Sequence, residues 1–253
     1  MNTPSEISTR DIVLQIKDLR KSFGDNHVLN GFNMELFQGE SLVIMGKSGS
    51  GKSVMIKCLV GLMEADSGYI RVMHNDITAL DQNAMDVLRA DIGFLFQGSA
   101  LYDSMTVREN LEFPLRRHTK KFGEHINTEK LVHEALENVG LVSAIDLMPS
   151  ELSGGMKRRI ALARTLILRP KIILYDEPTS GLDPITAKEI ILLMKDIQKK
   201  YNTSSLIITH DVDCARVIAD RMILLIDGID YATGTFAELS TREDPKIKAF
   251  FKH

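Results

Sequence analysis

The sequence predicts an α/β fold with a mostly parallel core sheet, antiparallel strands near the N-terminus and an inserted helical subdomain. Short runs of β-branched and apolar residues alternate with helical patterns, which is typical of parallel strands buried on both faces. Two N-terminal segments instead alternate apolar and polar residues, as half-exposed antiparallel strands do. The runs are SLVIM (41–45), IGFLF (92–96), IILYD (172–176), SLIIT (205–209) and MILLI (222–226), and the alternating segments are DIVLQI (11–16) and FNMEL (32–36).

The helical subdomain is predicted between the second and third runs. The intervening residues, 97–171, are too many for one crossover connection between parallel strands. Helix signals divide the segment into several helices. These signals are a capping box at Thr106 and Glu109, a helix from about Thr128 to Val139 closed by Gly140, and a helix from Gly154 to about Leu168 before Pro170.

We expect one domain over residues 1–253. Its sheet-containing core is assigned to 1–97 and 170–234, the helical subdomain to 98–169, and a C-terminal helix and tail to 235–253. Within this frame Asp227-Gly228 is predicted as a hairpin turn, and Ser240 with Glu243 is predicted to cap the C-terminal helix.

The composition excludes some classes of protein. Apolar residues make up 44% and charged residues 26%, so a packed core is expected, and the net charge of −3 argues against nucleic acid as a partner. Cys58 and Cys214 have no metal-type spacing and are predicted as buried free thiols. No signal peptide is expected at the N-terminus, and no apolar run approaches the roughly 20 residues of a membrane span.

The segment GKSGSGKS (46–53) fits the phosphate-binding pattern G-x-x-x-x-G-K-S between a predicted strand and a helix. Its glycines let backbone N–H groups surround a β-phosphate, Lys52 reaches the β- and γ-phosphates, and the Ser53 hydroxyl ligates Mg²⁺. The alternative is a glycine-rich turn that binds nothing, but the flanking strand and helix favour a nucleotide. The candidate binding residues are Gly46, Lys47, Ser48, Gly49, Ser50, Gly51, Lys52 and Ser53.

Polar residues at the ends of other predicted strands are expected to meet this segment at one sheet edge. Asp176 would hold Mg²⁺, and Glu177 can take a proton from the attacking water. The amide of Gln97 can ligate Mg²⁺ or that water, and His210 lies at the same edge. Taken singly, each has a plain alternative, a solvated acidic strand end or a polar strand cap, and their convergence favours a catalytic site.

A second anion site is predicted in ELSGGMKRR (151–159). A helix that opens with Ser153, Gly154 and Gly155 presents bare N–H groups and a positive dipole end. It contains no metal ligand, so it is half a site.

These motifs together resemble the ATP-binding cassette (ABC) ATPases. GKSGSGKS, Gln97, LSGGM (152–156), YDEP (175–178), SGLD (180–183) and His210 occur in that family's order and spacing. The resemblance implies ATP and Mg²⁺ as cofactors and a head-to-tail pair, in which Ser153, Gly154 and Gly155 grip the γ-phosphate bound by a second copy.

Three further positions follow from the resemblance. Phe23 matches the aromatic residue that stacks on adenine, with a core phenylalanine as the alternative. The segment LSGGM (152–156) is the family's signature motif. In it Met156 replaces the usual glutamine, and the Ser-Gly-Gly residues that bind the anion are retained. Asp183 would link the two nucleotide sites, and it is also a plausible N-cap for a helix that starts at Pro184.

The stretches 96–116, 147–156 and 244–251 resemble the ATPases of Mla-type phospholipid transporters. This implies an integral membrane permease, a periplasmic MCE-type lipid-binding subunit and a place on the cytoplasmic face of the inner membrane. The permease would dock near Ala100–Met105, where Leu101, Tyr102 and Met105 could equally be core. The given sequence ends about 20 residues after Gly234, so we expect no C-terminal regulatory domain of the kind that some sugar and methionine importers have. Alternatives are an amino-acid importer ATPase, a soluble non-transport cassette protein and a non-enzymatic ATP switch.

Overall fold

The computed structural model describes residues 11–122 and 127–251, without the side chain of Lys120. The predicted lack of a signal peptide concerns residues 1–10, outside the described part. The strands are β1 (Ile12–Phe23), β2 (Asn26–Phe37), β3 (Ser41–Met45), β4 (Ser67–Val72), β5 (Asn75–Asp76), β6 (Ile92–Leu95), β7 (Ile172–Asp176), β8 (Ser204–Thr209), β9 (Arg221–Ile226) and β10 (Ile229–Gly234). The helices are α1 (Lys52–Leu59), α2 (Gln82–Arg89), α3 (Val107–Arg117), α4 (Thr119–Phe122), α5 (Thr128–Asn138), α6 (Gly154–Leu166), α7 (Pro184–Tyr201), α8 (Val212–Ile218), α9 (Phe236–Ser240) and α10 (Pro245–Phe251).

The central sheet has six strands in the order β10-β9-β3-β8-β7-β6. All neighbours from β9 to β6 are parallel, and β10 returns antiparallel to β9. Every residue of β3 and β8 is buried, because helices and the second sheet cover both faces. The prediction of a mostly parallel core sheet is confirmed. The predicted hairpin turn is also present, with positive φ at both Asp227 (53°) and Gly228 (77°).

The second sheet is antiparallel, in the order β2-β1-β4-β5. Strands β1 and β2 pair over almost their whole length, but four register shifts interrupt the ladder. A single hydrophobic cluster, which includes Phe32, Ile56 and Ile208, fills the space between this sheet, α1 and one face of the central sheet. The antiparallel sheet therefore covers the strand that leads into the 46–53 loop.

Between β6 and β7 the described residues form four α-helices, α3 to α6. A capping box opens α3, in which Glu109 N–H donates to Thr106 Oγ1 (3.2 Å) and Thr106 N–H donates to Glu109 Oε2 (2.8 Å), as predicted. Helices α5 and α6 begin at the predicted residues and end one and two residues earlier than predicted. Their apolar faces form a separate cluster with α3, around Leu111, Leu136 and Ile160.

The prediction that Ser240 and Glu243 cap the C-terminal helix is wrong. Ser240 is the last residue of α9, and that helix is capped by a box at Thr235 and Glu238. The next helix, α10, begins at Pro245, and Asp244 accepts a hydrogen bond from Lys246 N–H (2.7 Å). Ser240 cannot act as an N-cap while it is itself helical.

Three further observations concern the described part of the chain. Within residues 11–122 and 127–251 no helix is both long enough and apolar enough to cross a membrane. The same residues contain no group of three histidine, cysteine or acidic side chains that could hold a metal ion. Cys58 and Cys214 are buried free thiols, as predicted.

Candidate functional site

The loop 46–53 joins the buried strand β3 to the N-terminus of α1. Two of its glycines, Gly49 (φ 79°) and Gly51 (φ 102°), adopt conformations that L side chains rarely occupy. A Cβ atom on Gly46 would overlap the Ser50 hydroxyl and lie 3.0 Å from the Leu225 carbonyl oxygen. The loop is therefore a tight backbone cradle at the positive end of α1, which is the arrangement that binds phosphate.

Lys52 folds back over this cradle. Its ammonium donates to the carbonyl oxygens of Gly46 (2.6 Å) and Lys47 (3.1 Å). Burial lowers the pKa of Lys52, and the carboxylates of Glu177 and Asp176 partly offset that shift. The ammonium therefore lies at the opening of the loop, where it can exchange two carbonyl partners for phosphate oxygens.

A cleft of about 610 Å³ brings the predicted groups together. Burial, and then the neighbouring Glu177 carboxylate, raise the pKa of Asp176, and Lys52 lowers it in part. Two neighbouring carboxylates offer oxygen ligands to a divalent cation. The cleft's oxygen groups fit Mg²⁺, since hydroxyl, amide and carboxylate oxygens are its usual protein ligands. Its lining includes residues 47–53 of the loop together with Gln97, Asp176, Glu177 and His210.

Glu177 has an unusual backbone, with φ of 49°. Its N–H donates to Ile208 O (2.8 Å), which turns the side chain towards the end of β8. Glu177 Oε2 accepts from His210 Nδ1 (2.8 Å), His210 N–H (3.3 Å) and Thr209 Oγ1 (3.4 Å). No group of the described residues donates to Oε1. One carboxylate oxygen is thus fixed by its donors, and the other is available to a ligand.

Gln97 lies two residues beyond the end of β6, whereas the sequence placed it at the strand terminus. Its Nε2 donates to Ser180 Oγ (3.2 Å), in the loop after β7. This bond orients the amide and leaves the amide oxygen free for a ligand in the cleft. The loops after β6 and β7 are therefore joined at the site.

The signature residues are not brought to this cleft. Ser153 is the N-cap of α6, its Oγ accepts from Met156 N–H (3.2 Å), and both Ser153 and Gly154 are exposed. A Cβ atom on Gly155 would come within 2.7 Å of Thr186 Cγ2, so α6 begins very close to α7. The N-terminus of α6 thus faces solvent within one chain.

Three other sequence alternatives have outcomes in the structure. Phe23 is 48% exposed, which excludes a core role, and it does not line the cleft. Leu101 packs against two hydrophobic clusters, whereas Tyr102 is 44% exposed. Asp183 caps α7, because its Oδ1 accepts from Ile185 N–H and Thr186 N–H (3.1 Å each).

The sequence analysis did not identify the residues that hold the loops of the cleft in place through hydrogen bonds. Thr179 Oγ1 donates to Asp211 Oδ2 (2.9 Å), which ties the loop after β7 to the start of α8. Arg158, for which the sequence analysis predicted no role, is only 3% exposed and binds the loops of Gln97 and Ser180. No signal in the sequence distinguishes Arg158 from its basic neighbours.

Comparisons with known proteins agree with this geometry. The family model described as ABC transporter matches residues 29–180. The chain is 40% identical over 224 residues to the methionine import ATP-binding protein MetN of Rhizobium johnstonii, covering 88% of this chain and 61% of that protein. It is 38% identical over 239 residues to the probable ribonucleotide transport ATP-binding protein mkl of Mycobacterium leprae, covering 94% and 68%.

Two solved structures share the fold. The ATP-binding cassette MJ0796, in a dimeric post-hydrolysis state bound to ADP and Pi, has a TM-score of 0.79 at 32% identity, over 88% of this chain and 98% of that one. The cbiO1 protein of Clostridium perfringens has a TM-score of 0.84 at 28% identity, over 96% of each. Because the family match spans more than half of the sequence, this chain belongs to the ABC transporter family and has the fold of its ATPases.

Proposed function

We propose that the chain is the ATP-hydrolysing subunit of a membrane transporter, that it closes around ATP with a second copy of itself, and that it drives a separate integral membrane permease. The observation that supports this is the single cleft in which Lys52, Asp176 and the Glu177–His210 pair meet. Its place is then the cytoplasmic face of the inner membrane, where the permease would hold it.

The residues of the cleft divide the chemistry between them. The backbone of 46–53 and the Lys52 ammonium bind the phosphates. Mg²⁺ would neutralise charge on the phosphate oxygens, and Ser53, Gln97 and Asp176 are the residues that would hold it. Glu177 Oε1 takes the proton of the attacking water, while Oε2 stays bonded to His210 Nδ1 (2.8 Å). His210 thereby orients the base.

The exposed N-terminus of α6 supports a head-to-tail pair. Ser153, Gly154 and Gly155 do not line the cleft of their own chain, so a second copy must bring its own α6 to complete the site. The similarity to a cassette solved as a dimer points the same way. In such a pair each chain provides its cradle to one ATP site and its signature helix to the other.

The identity of the transported substrate is the most specific part of the proposal. The relatives named for methionine import favour an amino-acid importer over a phospholipid transporter of the Mla type. They give no support to an MCE-type lipid-binding subunit. The chain spans only 61% of the Rhizobium importer's length, so the name is carried over as a proposal for the ATPase part.

Complementation of two defective chains tests the paired site. Lys52→Ala removes the cradle's charge, and Ser153→Arg fills the space for the partner's phosphate. Only their mixture contains one complete site, so ATP-dependent dimers, measured by size-exclusion chromatography in a Glu177→Gln background, are expected only in the mixture. Thr235→Arg, which removes the N-cap of a helix that does not line the cleft, is the matched control and should behave as its parent. Dimers formed by Ser153→Arg alone would reduce the serine to a helix cap.

A transport assay tests the substrate. The chain is purified with its permease, reconstituted into vesicles and supplied with ATP, and labelled methionine and labelled phospholipid are followed in parallel. Methionine uptake that is lost in Glu177→Gln is the expected result. Phospholipid transfer without methionine uptake would instead assign the chain to the Mla type.

A further inference from the structure

Arg158 is a buried cation whose hydrogen-bond partners are all backbone carbonyl oxygens. Its Nη1 donates to Phe96 O (2.7 Å), and its Nη2 donates to Gln97 O (2.5 Å) and Ser180 O (3.3 Å). Its Nε has no partner, and no ion pair among residues 11–122 and 127–251 includes it. A guanidinium without a carboxylate is a costly group to bury, so its position needs an explanation.

The carbonyl partners belong to two loops of the ATP site. Gln97 and Ser180 are also joined through their side chains, with Nε2 of the glutamine 3.2 Å from Oγ of the serine. The guanidinium and this side-chain bond therefore form a closed ring between the loops after β6 and β7. Displacing either loop would leave part of a buried charge without partners, so the ring favours one arrangement of Gln97.

The same arginine stands on the signature helix. Ser153 caps α6, and Arg158 lies five residues further along it, about 7.5 Å at the rise of an α-helix. An α-helical segment of this length moves as a unit. A shift of the signature towards a neighbouring chain's ATP is thereby passed to Gln97 in the chain's own cleft.

We propose that Arg158 is a positioning residue that couples the two half-sites of one chain, by fixing Gln97 and Ser180 to the helix that presents Ser153 to the partner's ATP. This inference rests on the proposed function. It adds a specific intramolecular connection: closure around one ATP sets the geometry of the other.

Two double-mutant cycles test the coupling. Arg158→Gln is expected to lower kcat for ATP hydrolysis about tenfold and to leave the Kd for ATP of the isolated subunit unchanged. In a Gln97→Ala background the same substitution should lower kcat less than twofold. Arg158→Gln should also weaken ATP-dependent dimer formation in a Glu177→Gln background, and this effect should shrink when Ser153→Ala is added. A purely structural role would lower Tm equally in all backgrounds without this loss of effect.

The matched control is Arg89→Gln. Arg89 also donates to two loop carbonyl oxygens, of Val60 (3.1 Å) and Gly61 (3.2 Å), but that loop contains no residue of the cleft. Its kcat should equal that of the wild type. Arg158→Lys keeps the charge and serves if Arg158→Gln does not fold.

Several results would overturn the inference. They are additive effects in either cycle, an unchanged kcat in Arg158→Gln, an equal loss in Arg89→Gln, or loss of fold in both Arg158 variants, which would make the arginine structural. Absence of ATP hydrolysis in the wild type would instead contradict the proposed function itself. The two failures are therefore distinguishable.

Discussion

Replacing Glu177 by glutamine isolates the chemical step from binding. The amide has nearly the same shape, and its oxygen can still accept from His210 Nδ1 as Oε2 does at 2.8 Å. What is lost is the basicity of the second carboxylate oxygen, to which no described group donates. The side chain is only 12% exposed, so its surroundings hold the amide in place.

The expected loss is confined to turnover. Removal of a general base lowers a rate by about 10²- to 10⁴-fold, equivalent to about 3–5 kcal/mol in the activation barrier. ATP binding should persist, because the substitution leaves the 46–53 loop and Lys52 intact. Burial is the main cause of the raised pKa of Asp176, and the substitution removes the smaller contribution of the Glu177 charge, so that carboxylate ionises more readily beside a cation.

Phosphate release under saturating ATP measures the loss, and size-exclusion chromatography should show an ATP-bound dimer that accumulates. Glu134→Gln is the matched control, since Glu134 is a surface carboxylate whose partner is Arg169 (3.2 Å). Hydrolysis within threefold of the wild type would remove Glu177 from the mechanism. Loss of ATP binding would show that the carboxylate supports the cradle rather than the chemistry.

The remaining predictions concern binding and stability. Lys52→Ala should raise the Kd for ATP roughly 10- to 100-fold, because it removes a charged donor, and calorimetry that finds no change would refute the cradle. Phe23→Ala should weaken the free energy of ATP binding by roughly 1–3 kcal/mol, the value of a base–aromatic contact, and an unchanged Kd would exclude stacking. Asp176→Asn should raise Tm without nucleotide by about 2–4 °C near neutral pH. Because the pKa of Asp176 is raised, its ionised form costs the folded state stability above that pKa, so the gain should shrink in acid; a gain that grew in acid would contradict it.

The sheet was predictable because buried parallel strands are written as apolar runs. The N-terminal strands are longer than their alternating segments, 12 residues each, since register shifts break the alternation after Ile16. Strand β4 (Ser67–Val72) has two exposed residues at its start and no clear alternation, and it was missed. The prediction of the C-terminal cap was wrong because Thr235–Glu238 and Ser240–Glu243 both fit the capping pattern, and Ser240 is the last residue of the helix that Thr235 caps.

The site was predictable to the level of the sheet edge. Parallel strands end on one side, so residues after β3, β6, β7 and β8 had to meet there. The contact between Glu177 and His210 was not predictable, because it depends on a left-handed backbone at Glu177 (φ 49°). The burial of Arg158 was not predictable for a different reason. Whether a charged residue is buried depends on tertiary packing, and three consecutive basic residues (157–159) are more typical of a solvated surface.

Helix α6 contributes to two hydrophobic clusters at once. Ala161, Leu162 and Leu166 pack into the cluster on one face of the central sheet, while Ile160 and Ala163 belong to the cluster shared with α3 and α5. Local opening follows such boundaries. We therefore expect α3 and α5 to open together, while α6 keeps its packing against the central sheet. Ser153 would then keep its position when α3 and α5 open locally. It would lose that position only when the whole domain unfolds.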